Sequence, residues 1–201
     1  MLSLKQKQVL KHLLNRLRSQ PSLLFLFQFI LLYFIGRILF WGYIGLLYPS
    51  GKQYWPFLSN FNIIQGIRTA LIYPTNWIMQ FMGTKTIPYS MGILYKERCG
   101  GIRIEFSCLG IQVMIAYVAL ILAFSAPKKY LYLTGGILFI HVLNIARMVG
   151  LMQMQVHHSL NPKNLLLVHD LFNYGAYIGI LLLFYLYTRG AKKHPSHYKI
   201  S

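Results

Sequence analysis

Three reactive side chains of different types fall near the same end of three predicted membrane segments: Cys108, Arg147 and His169. A thiol can serve as a nucleophile, an imidazole can move a proton, and a guanidinium can stabilise a developing anion. If these groups lie at one membrane depth, they form a potential active site.

Cys108 lies in the segment Glu105 to Gly110, where a short strand is predicted to lead into a helix. The partial positive charge at a helix N-terminus favours a thiolate. Taken alone, a buried and inert cysteine is the commoner outcome in an apolar chain. A disulfide between Cys99 and Cys108 is a further alternative outside the cytoplasm, but the glycines after Cys99 favour a turn there, so we rank it below an unbridged Cys108.

Arg147 lies inside an apolar segment, where an arginine is costly unless it is paired or faces a polar cavity. Asn144 precedes it by three residues on the same helical face and can orient it. The alternative is a side chain that extends to the membrane surface. Arg37 is a comparable charge within the first apolar segment, for which we expect pairing with a carbonyl or with Asp170.

His169 and Asp170 open the last apolar segment, and a neighbouring carboxylate could hold the imidazole in a basic state. Only three residues of the chain are acidic, and two of them, Asp170 and Glu105, flank the proposed site. His157 and His158 could bind a metal with His169 or Asp170, but their spacing matches no recognised ligand pattern. We therefore expect no metal site.

The shared depth follows from hydropathy and charge. Four segments are apolar enough to be candidate spans: residues 22–47, 109–124, 130–152 and 165–187. Basic clusters precede the first, separate the second from the third, and follow the fourth, so the positive-inside rule places both termini in the cytoplasm and all three reactive groups near the outer surface. The chain has 20 basic and 3 acidic residues, and the basic residues flank the apolar segments without forming a continuous stripe. This distribution favours the topology above and anionic lipids, rather than nucleic acid, as the partner.

The remaining segment is more polar. Residues 57–82 place apolar side chains on one helical face with Pro74 as a break, which favours an interfacial or re-entrant hairpin. Residues Met91–Lys96 and Ile102–Phe106 are predicted as short paired strands. The predicted fold is an α-helical integral membrane protein with about four to six transmembrane helices, a short extracytoplasmic β-hairpin and interfacial helices.

We expect one membrane-embedded domain over residues 1–201. It divides into a cytoplasmic basic tail (1–21), a span (22–47), an extracytoplasmic or interfacial region (48–107), a catalytic helical core (108–188) and a second cytoplasmic basic tail (189–201).

Cys108 within Ser-Cys-Leu-Gly, Arg147 within Asn-Ile-Ala-Arg, and His169 at the start of the final span resemble the motifs of the exosortase and archaeosortase family, in a compact Bacteroidota-like variant, across roughly residues 85 to 188. The resemblance implies a membrane cysteine transpeptidase of the bacterial inner membrane with its active site facing the periplasm, and a mechanism that requires no cofactor. Its partners would be exported proteins with a C-terminal sorting signal and an acceptor such as a lipid or polysaccharide. Cys108, Arg147 and His169 would be catalytic. The positions of Asn144, Asp170 and Glu105 described above add these three residues in support.

Two other classes remain open. The chain could be a non-enzymatic membrane partner in polysaccharide or protein export, in which Arg147 and His169 are polar contacts between helices. It could also be a small transporter or proton relay. The second alternative requires a polar path across the bilayer, whereas the polar groups cluster at one end.

Overall fold

The structure is a computed structural model that describes residues 20–47, 57, 62–89, 93–96, 100–124, 126–157 and 162–192. Of these, the side chains of residues 93–96, 107, 157, 162–169, 191 and 192 lie outside the description. Cys99, His158 and the basic clusters of residues 1–19 and 193–201 also lie outside it.

Within these described ranges, three helices are long and apolar enough to span a membrane. They are α1 (Pro21–Leu47), α4 (Lys129–His157) and α5 (Pro162–Lys192), and they cover three of the four predicted spans. Many of their large apolar side chains are exposed, such as Leu39 at 68% and Ile178 at 67%, as expected for surfaces that meet lipid. The prediction of a helical membrane protein is confirmed at this level.

The helix in the second predicted span, residues 109–124, is shorter than expected. The helix α3 covers Ile111–Ala123, which is 13 residues, or about 20 Å at about 1.5 Å per residue. That length is below the roughly 30 Å of a bilayer core. The apolar stretch of sequence begins with a non-α turn and a left-handed Gly110, which shorten the helix at its start.

The helix α2 (Ile63–Phe81) occupies the segment predicted as an interfacial or re-entrant hairpin, but it is one continuous helix that does not break at Pro74. Asn62 caps it by accepting a hydrogen bond from the Gln65 backbone N–H at 2.9 Å. One face is buried and the opposite face is exposed. The buried side chains are Ile64, Leu71, Ile72, Thr75 and Met79, and the exposed aromatic ones are Tyr73, Trp77 and Phe81. This amphipathic pattern is typical of a helix at an interface.

An antiparallel three-stranded sheet follows α2 in the order β1 (Ile87–Tyr89), β2 (Ile93–Lys96) and β3 (Gly100–Arg103). In the register of β2 with β3, Ile93 is opposite Arg103. The strand β2 lies within one predicted strand, whereas β3 begins and ends earlier than the predicted Ile102–Phe106, and β1 was not predicted. The chain turns out of the sheet after Arg103, so Phe106 belongs to the next element.

Among the described residues the core contains two apolar clusters, one along the C-terminal half of α4 and the other along its N-terminal half. The first joins α2, β3 and α4, and its fully buried members include Ile64, Leu71, Leu109 and Met152. The second joins α3, α4 and α5 around Tyr117 and Tyr187, among others. Since α4 packs against α2, α3, α5 and β3, its side chains are the ones that reach both halves of the protein.

Candidate functional site

Cys108 lies in a single 3-10 turn, Phe106–Leu109, which we call the cysteine turn. The Cys108 N–H donates to the Glu105 carbonyl oxygen at 2.9 Å. The turn ends at Gly110, which is also the N-cap of α3. Cys108 is therefore two residues before the N-cap and not in the first turn of the helix, so the helix dipole contributes less to this thiol than the sequence suggested.

Asn144 of α4 holds the end of the cysteine turn. Its side-chain amide donates to the Leu109 carbonyl oxygen at 3.1 Å, and the residue is 8% exposed. Gly110 makes this contact possible because its φ is +69° and because a Cβ there would overlap the Asn144 amide nitrogen. The sequence predicted Asn144 as a partner of Arg147, whereas its hydrogen bond goes to the turn.

Arg147 lies one helical turn beyond Asn144 and approaches the thiol. Its Nη2 is 3.9 Å from Cys108 Sγ, which is a long contact even for sulfur. The residue is 3% exposed, and its Nε has no hydrogen-bond partner among the described residues. The structure thus brings together two of the three proposed catalytic residues, which are 39 positions apart in the sequence.

The third proposed catalytic residue, His169, lies on α5, but its side chain is outside the described part of the structure. The proximity of the His169 imidazole to Cys108 therefore stays a prediction. The same applies to the side chains of His157 and His158, on which the metal alternative depends. Asp170 is described, and its side chain is exposed.

The Glu105 carboxylate pairs with an arginine at the protein surface. It accepts a salt bridge from Arg103 at 3.1 Å, and the two side chains are 55% and 75% exposed. Exposed pairs of this kind add little stability. Glu105 contributes to the site through its carbonyl oxygen, which accepts from Cys108.

Arg37 finds a partner on its own helix rather than the expected carbonyl or Asp170. Its Nη1 donates to the Tyr33 hydroxyl at 3.2 Å, and its Cζ lies 5.9 Å from the centre of that ring. Four residues separate the two side chains, so they are neighbours on one face of α1.

A further cation near the cysteine turn was missed by the sequence reasoning. Arg68 of α2 places its Cζ 5.2 Å from the centre of the Phe106 ring, at the start of the turn. The sequence feature that could have identified Arg68 is its position four residues after Ile64 and three before Leu71. This spacing places a charge on the buried face of an amphipathic helix.

No protein-family model matches the chain, and no curated protein or solved structure shows significant similarity to it.

Proposed function

We propose that the chain is an exosortase-like membrane cysteine protease or transpeptidase. The observation that supports this most directly is the approach of a buried guanidinium to a thiol, with Arg147 Nη2 3.9 Å from Cys108 Sγ. A cation held in a low-dielectric site beside a nucleophile can stabilise both a thiolate and the oxyanion that forms when the thiolate attacks a carbonyl.

The reaction would proceed through a thioester. The Cys108 sulfur attacks the carbonyl carbon of the scissile peptide bond, and the thiol proton passes to His169. When the tetrahedral intermediate collapses, the C–N bond breaks and His169 gives the proton to the leaving amine. An acceptor amine or water then attacks the thioester carbonyl and gives a proton to His169. The C–S bond breaks, and the Cys108 sulfur takes that proton back from His169, which yields transfer or hydrolysis respectively.

The residues around this chemistry would have separate roles. Arg147 stabilises the anionic species, and Asn144 positions the cysteine turn through the Leu109 carbonyl. His169 is assigned by resemblance to the family motif, and Asp170 by its position beside His169 in the sequence. The substrate would be an exported protein with a C-terminal sorting signal, processed at the periplasmic face of the inner membrane.

A non-enzymatic role in export is the second candidate. It is favoured by the hydrogen bond from Asn144 to the cysteine turn, since polar contacts of this kind also hold membrane helices together. In that case Cys108 would be replaceable without functional loss.

The experiment that separates the two candidates compares wild type with Cys108→Ala and Cys99→Ser. Each is expressed with a membrane-anchored protein from the same genome that ends in an apolar helix and a basic cluster, and the product is followed by intact mass. The proposal expects processing in wild type and Cys99→Ser but not in Cys108→Ala. Equal processing in Cys108→Ala would remove Cys108 as the nucleophile. The product mass distinguishes an added acceptor from added water.

A further inference from the structure

Two guanidinium groups reach the cysteine turn from different helices. Arg147 approaches Cys108 from α4, and Arg68 lies against Phe106 from α2. Arg68 is on the face of α2 that also carries Ile64 and Leu71, which are 1% and 0% exposed. It therefore points toward the protein interior and not toward the exposed aromatic face of the helix.

Both guanidinium groups are incompletely satisfied. The Nε atoms of Arg68 and Arg147 are buried and have no hydrogen-bond partner among the described residues. Carboxylates are scarce in this chain, and Glu105 is paired with Arg103 at the surface. Two like charges beside one turn repel each other, and their burial costs free energy unless an anion compensates.

We propose that Arg68 and Arg147 form an anion-binding site beside Cys108, in which Arg68 holds a carboxylate side chain of the substrate peptide close to the scissile bond. Arg147 is already directed at the thiol, so Arg68 is the group that remains for the substrate. The planar fork of a guanidinium matches a carboxylate with two parallel hydrogen bonds. The peptide identity of the ligand rests on the function proposed above.

A lipid phosphate carries a similar charge but fits the geometry less well. The exposed face of α2 presents Tyr73, Trp77 and Phe81, which are 60%, 72% and 86% exposed. Lipid would meet α2 on that face, whereas Arg68 lies on the opposite, packed face. Arg68 lies against Phe106, two residues before Cys108 in the cysteine turn, which favours a peptide held at the thiol as the ligand.

The test compares alkylation of Cys108 by iodoacetate and by neutral iodoacetamide in purified protein in an uncharged detergent. In both reactions the thiolate sulfur forms a bond to carbon and iodide leaves, so the ratio of the two rates reports the attraction of an anion. The extent of reaction at Cys108 is read by peptide mass mapping, which separates it from Cys99.

Arg68→Gln should lower the iodoacetate to iodoacetamide ratio by about three- to tenfold, as expected for the loss of one nearby, partly screened charge. Arg103→Gln is the matched control because it removes the same charge from a side chain that is 75% exposed, and it should leave the ratio unchanged. Equal ratios in wild type and Arg68→Gln would overturn the proposal.

A second measurement needs only wild type. N-acetyl-glutamate amide should slow the reaction of Cys108 with iodoacetamide, whereas N-acetyl-glutamine amide at the same concentration should not. Equal effects of the two compounds would overturn the carboxylate site. Phosphatidylglycerol could instead protect Cys108 from iodoacetamide more strongly than the glutamate derivative does. If this protection is lost in Arg68→Gln, the site binds a lipid phosphate and the peptide ligand is overturned.

These measurements also separate this inference from the proposed function. Alkylation requires no peptidase activity. If processing depends on Cys108 but alkylation shows no preference for iodoacetate, the role of Arg68 is refuted and the proposed function stands. If alkylation shows this preference but no processing depends on Cys108, the assignment of the ligand as a substrate is refuted.

Discussion

Gly110 offers the sharpest test of how the cysteine turn is held. It has a φ of +69°, and a Cβ at this position would overlap the Asn144 amide nitrogen and lie 3.0 Å from Asn144 Cγ. Gly110→Ala therefore combines an unfavourable backbone conformation with displacement of Asn144. Because Asn144 donates to the Leu109 carbonyl from a buried position, the displaced amide and the carbonyl would both lose a partner.

The two costs can be estimated separately. A left-handed conformation costs an alanine about 1–2 kcal/mol. Loss of the buried hydrogen bond adds about 1–3 kcal/mol, for a total of about 2–5 kcal/mol. Gly83 provides the control, because its φ is +79° and nothing lies within 4 Å of its added Cβ. Gly83→Ala should therefore show only the conformational cost of about 1–2 kcal/mol.

The assay is thermal unfolding in detergent, followed by circular dichroism at a fixed heating rate. For a chain of this size, about 1 kcal/mol corresponds to roughly 2–4 °C in Tm. The apparent Tm of Gly110→Ala should therefore be lower than that of Gly83→Ala by about 2–12 °C. Equal decreases in the two variants would refute the conclusion that Asn144 packs directly over Gly110.

Three more predictions concern other parts of the protein. Tyr187→Phe removes the hydroxyl that accepts from the Ala126 N–H at 3.1 Å, so the free energy of unfolding should fall by about 1 kcal/mol. Tyr185→Phe is the control, because Tyr185 is 56% exposed, and it should leave the free energy of unfolding unchanged in the same thermal assay. In a variant with Trp77 as its one tryptophan, lipids brominated near the headgroup should quench fluorescence more than lipids brominated near the chain end, since Trp77 is 72% exposed on α2; the reverse order would place α2 deeper in the bilayer. Arg147→Met should keep or raise Tm while it abolishes processing, because it removes a buried charge whose replacement is worth up to about 4 kcal/mol.

The sequence predicted the long helices well and the junctions between them poorly. Continuous apolar composition is a local property, so it located α1, α4 and α5 within a few residues. The start of α3 depends on the contact between Gly110 and Asn144, residues that are distant in sequence. Hydropathy therefore extended this helix into the cysteine turn. The strand β1 was missed for a similar reason, since three residues containing Pro88 form a strand only through pairing with β2.

The same distinction applies to the site. An arginine in an apolar helix is visible in the sequence because of its cost, and this signal identified Arg147. Arg68 lies in a helix with many polar residues, where a single charge is not conspicuous. Its significance arises from contact with Phe106, 38 positions away, and from the burial of its Nε. Glu105 shows the opposite case. Its proximity in sequence to Cys108 suggested a supporting role, and its carboxylate pairs with Arg103 in the structure.

Asn144 and Arg147 lie one turn apart on α4, yet their environments differ in a way that bears on the function. Asn144 donates a hydrogen bond of normal length to a backbone carbonyl, which is what a stabilising polar contact requires. Arg147 meets a weak sulfur acceptor at 3.9 Å and keeps a buried nitrogen without a partner among the described residues. At a buried position like that of Arg147, an apolar side chain such as methionine would stabilise the protein more than an incompletely paired charge does. Arg147→Met could instead lower the free energy of unfolding by roughly 3–5 kcal/mol, as does the loss of one partner from a buried ion pair. In that case Arg147 is a structural contact, and the export-partner candidate gains support. A stable but inactive variant would mean that the protein tolerates this charge for the chemistry at Cys108.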